Sequence, residues 1–207
     1  MTLLKTPQRL LGVTAAHVVG QYKQDLKSQE LTLKLMNVSA NNLSIIDINE
    51  ELDLATIDID EKMYAELKKT SGKEIIPLST WPPQAPQEGY GIMLAGYPGQ
   101  DRLDLNFGLF TALDVARRVS SDQITWRIER DHLVEGGGIP VLPENYDLGG
   151  ISGGPLISWF ERPIFHYRLS GIVSEAHKDI ENVTIKRADF INSDGSIRKP
   201  KLGKHIT

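Results

Sequence analysis

The sequence predicts an all-β chain in two halves, on three observations. Its apolar residues fall in short runs separated by turn formers, as a barrel or sandwich demands. A proline-rich break separates the runs into two groups. The repeated alternation of strand and helix that marks a parallel α/β sheet is missing.

In the first half, Leu10 to Val19, Leu31 to Val38, Leu43 to Ile48 and Leu54 to Ile59 read as strands, and Leu3 to Lys5 as the end of another. Glu61 to Lys69 reads as a short helix, with Met63 and Leu67 on one face and Gly72 as its stop. The break runs from Ser79 to Gly89, where Pro82, Pro83 and Pro86 exclude both a central strand and a helix interior. In the second half, Gly91 to Tyr97, Phe107 to Ala112, Gln123 to Glu129, Leu156 to Phe160, Tyr167 to Ser174 and Val183 to Lys186 supply strands. Pro98-Gly99 marks a turn, and Gly136-Gly137-Gly138 a glycine stretch ahead of a second glycine-rich loop. The tail, with Arg198, Lys199, Lys201 and Lys204 around Pro200 and Gly203, reads as a solvated end.

Composition sets broader bounds. A chain of 207 residues with 40% hydrophobic content buries a sizeable core, in one domain or two small ones closely packed. A formal charge of −4 leaves no electrostatic footprint for nucleic acid. With no cysteines, disulfides, thiolate metal sites and cysteine nucleophiles are all excluded. No apolar run has the length of a membrane span, and Met1-Thr2-Leu3-Leu4-Lys5 is not a complete signal peptide, so a soluble, cytoplasmic protein is expected.

Three strings carry chemistry: Thr14-Ala15-Ala16-His17, Asp53-Leu54-Ala55 and Gly150-Ile151-Ser152-Gly153-Gly154-Pro155. A serine hydroxyl is a poor nucleophile at neutral pH and needs an imidazole to take its proton as it attacks a carbonyl. His17 is the candidate base. Its imidazole needs a carboxylate to fix the tautomer and tolerate the positive charge, and Asp53 is the candidate. The glycines around Ser152 allow a tight turn in which the amides of Gly150 and Ser152 both point at the developing oxyanion. Singly, each string has a structural explanation: a strand-end histidine, one aspartate among Asp47, Asp58 and Asp60, a glycine-rich turn. Their joint occurrence in this order makes the catalytic reading the stronger one.

On these residues the chain resembles the trypsin-like, chymotrypsin-fold serine proteases, of the bacterial and HtrA-like type. The likeness runs from about Leu10 to Val183, and Leu169-Ser170-Gly171-Ile172-Val173-Ser174 is similar to the strand lining the family's substrate cleft. It implies two packed antiparallel β-barrels: residues 1–80 forming the half that bears His17 and Asp53, 81–89 the linker, 90–192 the barrel bearing Ser152, and 193–207 the tail. The implied activity is a serine endopeptidase with catalytic His17, Asp53 and Ser152, an oxyanion hole at Gly150 and Ser152, and no metal or cofactor. The partner is a peptide or protein substrate; an oligomeric state is not implied. Ser174 starts the edge on which a substrate backbone pairs, with Glu175 and Ala176 flanking the peptide. The walls of the primary specificity pocket fall near Glu144 to Gly149 and Ser174 to His177, with Tyr146 and Asp147 at its base. There a carboxylate selects Lys or Arg, and a one-residue shift brings in Tyr146 and selects small or apolar side chains. Glu144 and Asp147 as solvated loop charges is the plainer alternative.

Two departures qualify the likeness. Ile151 stands where digestive members carry the aspartate that pairs with a newly cut N-terminus, so propeptide activation is not expected. His17 also lies close to Met1, so the first barrel is expected to be incomplete at its N-terminal side. A catalytically silent, peptide-binding version of the fold is the alternative this raises. The G-x-S-x-G string also fits the nucleophile elbow of α/β-hydrolases. That reading fails because Leu156 to Phe160 reads as a following strand, and none of His166, His177 and His205 has a recognisable context.

Overall fold

A computed structural model of the chain describes residues 1–28, 34–35, 38–39, 44–71, 81–103, 106–127, 146–160, 165–177 and 182–199. Among these, fifteen strands and two α-helices bear out the all-β expectation. The helices are α1 (Ala16–Ser28) and α2 (Glu61–Ser71). In chain order the strands of the first half are β1 (Thr2–Lys5), β2 (Leu10–Thr14), β3 (Lys34–Leu35), β4 (Val38–Ser39), β5 (Ser44–Asn49) and β6 (Leu54–Asp58). The second half contributes β7 (Gly91–Gly96), β8 (Arg102–Leu103), β9 (Asn106–Phe107), β10 (Phe110–Val115), β11 (Arg118–Val119), β12 (Gln123–Arg127), β13 (Pro155–Phe160), β14 (His166–His177) and β15 (Asn182–Arg187).

Two antiparallel sheets dominate. The first has the order β1-β2-β6-β5, and the second the order β10-β7-β13-β14-β15-β12-β11; β3-β4 and β8-β9 are small separate ladders. Two strands thus precede His17, with Leu3 to Lys5 paired along β2 through Leu3↔Gly12, Leu4↔Leu11 and Lys5↔Leu10. Among the described residues β1 and β5 remain the edges of the first sheet.

The second sheet buries one face over Ile92, Leu94, Ile124, Trp126, Leu156, Val173, Val183 and Ile185. A second core joins the two sheets: Leu4, Leu11, Val13, Leu52 and Leu54 of the first half meet Leu169 and Ile172 of β14, together with Ala188, Ile191 and Ile197. Burial of this kind is worth roughly 1.5–3 kcal/mol per large side chain, so the shared core holds the halves in a fixed relation. That relation positions the site.

Two expectations need correction. The run Leu10 to Val19 is not one strand: β2 ends at Thr14 and α1 begins at Ala16, which places His17 in the first turn of a helix. The β-branched residues Val13, Thr14, Val18 and Val19 imitate a strand, whereas Gln21 to Lys27 are mostly good helix formers, and Val19 is the buried contact of the first turns. The tail is not a solvated end as far as Ile197, although Arg198 and Lys199 beyond it are exposed. Thr56 Oγ1 donates to Gly195 O at 2.6 Å, the Ile197 amide to Asp47 Oδ2 at 2.8 Å, and Thr6 Oγ1 to Ser193 O at 2.7 Å, fastening residues 193–197 onto the first sheet. Apolar Ile191 and Ile197 drive this return; Lys201, Gly203 and Lys204 lie outside the described residues.

Other expectations stand with small changes. Helix α2 buries Leu67 with Met63 beside it, and Asp60 caps it by accepting the Met63 amide at 2.6 Å. The expected strand Phe107 to Ala112 is broken at Gly108 and Leu109, between β9 and β10. The Pro-rich break is without regular structure from Trp81 to Tyr90, and Gln84 ties it to β14 by accepting from Ser170 Oγ and Arg168. Gly72 and Gly136 to Gly138 lie outside the described residues.

Candidate active site

Asp53 occupies the turn between β5 and β6. Its φ of 46° lies in the left-handed region, which aspartate tolerates better than most side chains. Asn49 Oδ1 accepts the Leu52 amide at 3.0 Å and Glu50 O accepts the Asp53 amide at 3.2 Å, so the turn is closed by its own residues. The buried Leu52 and Leu54 on either side anchor it and leave the Asp53 carboxylate directed toward α1.

Helix α1 has no acidic residue in its first turn, and Ala15 before it has no side chain that can cap. Asp53 supplies what the local sequence lacks. Its Oδ1 accepts the His17 amide at 2.9 Å, and its Oδ2 lies 2.9 Å from His17 Nδ1. A carboxylate only accepts, so the proton of a neutral imidazole is held on Nδ1, leaving Nε2 as the basic nitrogen. The His17 side chain is 53% exposed and that of Asp53 20%, so the outer nitrogen faces the open side while the carboxylate is sheltered.

A third donor reaches the same carboxylate from the other sheet. Where β14 runs against β15 the register shifts between Val173 and Glu175, leaving Ser174 as the residue of a bulge. A bulge re-aims a side chain, and the buried Ser174 Oγ donates to Asp53 Oδ2.

Ser152 lies half-buried in the loop between Tyr146 and β13. Gly153 joins that loop to both sheets: its amide donates to Val173 O at 2.8 Å, and its carbonyl accepts from Thr2 Oγ1 at 2.7 Å. At φ +83°, with Thr14 Oγ1 2.5 Å from where a Cβ would stand, only glycine fits. Gly154 is equally constrained, since its Cβ would stand 2.3 Å from Ala95 O. Ile151 is buried against Gly96 and the core of the second sheet, which is what an apolar residue at that position does in place of an ion pair.

The structure therefore joins His17, Asp53 and Ser174 directly. It links the Ser152 loop to them through Val173, the neighbour of Ser174, and Thr14, three residues before His17. The other candidates lie close by in different roles. Tyr146 is partly buried against Phe110, and its hydroxyl donates to Asp101 Oδ2. Burial, with the Asp101 carboxylate beside it, pushes the phenol pKa up to about 12. Asp147 Oδ1 accepts the Gly149 amide at 2.7 Å. Glu175 is exposed with His177 Nε2 3.3 Å away, and Ala176 packs against the core of the second sheet. Glu144 lies outside the described residues. Among the described residues no group of three or more His, Asp or Glu is placed to hold a metal ion. No helix there is long and apolar enough to cross a membrane.

Comparison with known proteins adds the following. No family model matches the chain, and no curated protein matches its sequence. Among the solved structures similar to it are the following two. One is the thermostable serine protease AL20 from an extremophilic microorganism, at a TM-score of 0.49 and 13% identity, covering 90% of this chain and 82% of that one. The other is a Glu endopeptidase in complex with MPD, at a TM-score of 0.45 and 13% identity, covering 90% and 83%.

The strings alone do not reveal that Thr2 fastens the Ser152 loop, that Thr14 packs against Gly153, or that Ser174, expected at a substrate edge, donates to Asp53. Long-range hydrogen bonds of this kind leave no linear pattern.

Proposed function

We propose that this chain is a serine endopeptidase that cleaves peptide bonds through an acyl-enzyme, with His17, Asp53 and Ser152 as its triad. The observation that carries the reading is the pair of hydrogen bonds from His17 to Asp53. They support Nε2 as the basic nitrogen, on a half-exposed side chain in a cluster to which the Ser152 loop is tied.

In the first half-reaction Ser152 Oγ attacks the scissile carbonyl carbon while His17 Nε2 takes its proton. The carbonyl π pair moves to oxygen, and the amides of Gly150 and Ser152 hold that oxyanion. Collapse re-forms the carbonyl and breaks the C–N bond, and the imidazolium protonates the leaving amine. Water then repeats the sequence: His17 removes its proton, the ester breaks, and the proton returns to Ser152 Oγ. Asp53 keeps its charge throughout and stabilises the imidazolium in each half.

Substrate backbone fits beside Ser174 to Ala176. The pairing of β13 with β14 stops at Pro155↔Ile172, so among the described residues this stretch pairs with β15 on one side only. An extended peptide would add there as a strand. The test is digestion of a mixed peptide library followed by mass spectrometry. New termini produced by the wild type and absent with Ser152→Ala support the reading. Cleavage that survives Ser152→Ala, or none by folded wild type, overturns it.

A further inference from the structure

Gly149, whose carbonyl shares a peptide unit with the Gly150 N–H, is held at both its carbonyl and its amide by groups outside the triad. Gly149 O accepts the Gly99 amide at 2.6 Å. The Gly149 amide donates to Asp147 Oδ1 at 2.7 Å. The turn that carries Gly99 is itself clamped: the Asp147 amide donates to Gln100 Oε1 at 3.1 Å, Tyr146 donates to Asp101, and the Asp101 amide donates to Pro98 O at 3.2 Å. Gly108 closes over Asp101 so tightly that a Cβ would stand 2.9 Å from the Asp101 Cβ.

A trans peptide is planar, and its N–H points opposite to its C=O. Anchoring Gly149 O on Gly99 therefore fixes the direction of the Gly150 N–H, away from the 99–101 turn. From this we infer that Tyr146 and Asp147 are positioning residues for the oxyanion-binding amide of Gly150, acting through the Gly99–Asp101 turn, and do not form the floor of a specificity pocket. The inference rests on the proposed role of Gly150. The high pKa of the Tyr146 phenol agrees with it, because the hydroxyl then stays a donor over the whole range in which a histidine base works. Asp147 Oδ1 is engaged in holding its own loop at the Gly149 amide.

The two roles separate in kinetics. An oxyanion amide turned away from its place loses stabilisation in the transition state and little in the ground state, whereas a lost specificity carboxylate weakens basic substrates selectively. The experiment compares wild type, Asp147→Ala, Asp147→Asn and Tyr146→Phe on a matched pair of peptide esters with lysine or leucine before the scissile bond, and measures inhibition by the corresponding boronic acids. Positioning predicts that Asp147→Ala lowers kcat roughly 10- to 100-fold on both esters with KM nearly unchanged, and weakens both boronates in parallel. Asp147→Asn keeps an oxygen acceptor and restores most of the rate, and Tyr146→Phe falls between. If Asp147→Asn instead loses the lysine ester alone through KM, or Asp147→Ala turns over as the wild type does, the inference is overturned while the protease reading stands. A wild type that turns over neither ester overturns both.

Discussion

The carboxylate of Asp53 meets His17 twice, at its backbone nitrogen and at its Nδ1, each at 2.9 Å. One side chain from the turn between β5 and β6 thus caps a helix and orients the imidazole carried on that helix. The arrangement makes the start of α1 and the chemistry of His17 depend on the same group.

Replacing Asp53 separates these duties. Asp53→Asn keeps an oxygen for the His17 amide but presents a neutral amide to the ring, so turnover should fall by roughly 10⁴-fold with stability little changed. Asp53→Ala should also lose about 1 kcal/mol of stability through the missing cap. Steady-state turnover alongside urea denaturation of both variants checks this.

Ser174 is the only described donor that reaches Asp53 from the second sheet. Ser174→Ala removes a hydrogen bond to a charged acceptor, of order 1.5–3 kcal/mol. We expect a fall in kcat of roughly tenfold or more, with peptide KM moved less.

Gly153 tests the coupling between the Ser152 loop and the first sheet. Gly153→Ala strains a residue at φ +83° and drives its Cβ against Thr14 Oγ1, 2.5 Å away, so a loss of roughly 1–3 kcal/mol is expected. The further change Thr14→Ala should recover part of that loss by removing the collision and leave the backbone strain. A double-mutant cycle in urea measures the coupling.

Ile151→Asp places an aspartate where digestive relatives of the resembled family have one. Here the side chain is 2% exposed within the core of the second sheet, so the carboxylate would be buried without a partner. The variant should lose about 3 kcal/mol or more, seen as a large drop in denaturation midpoint.

Tyr146 gives a pH signature. Its pKa is raised from 10.0 to about 12 on folding, so the native state holds the phenol proton more tightly than the unfolded chain does. The stability this provides is complete below the unfolded value and disappears as pH rises through the folded one. Wild type should lose stability between pH 10 and 12 more steeply than Tyr146→Phe, in denaturant titrations across that window.

Much of this was legible in the sequence because the relevant signals are local. Alternating apolar runs announced the strands, Met63 and Leu67 announced α2, and the spacing of Pro82, Pro83 and Pro86 announced the break. The pairing of His17 with Asp53 followed from what a base needs. What stayed hidden was decided between distant segments. Val18 and Val19 look like strand residues until the Asp53 carboxylate provides α1 with a cap that Ala15 cannot. Arg198 and Lys199 are exposed as their charges suggest, but the return of the chain just before them is decided by Ile191 and Ile197 finding the shared core. The hydrogen bonds that tie Tyr146 to Asp101 and Asp147 to Gly149 could not be read from the strings around them.

The most direct test of the account is reaction of the intact chain with a fluorophosphonate, followed by intact mass and peptide mapping. An assembled triad predicts one added phosphonyl group, on Ser152, and none with Ser152→Ala or His17→Ala. Folded wild type that gains no mass, or a label that persists with Ser152→Ala, would contradict it.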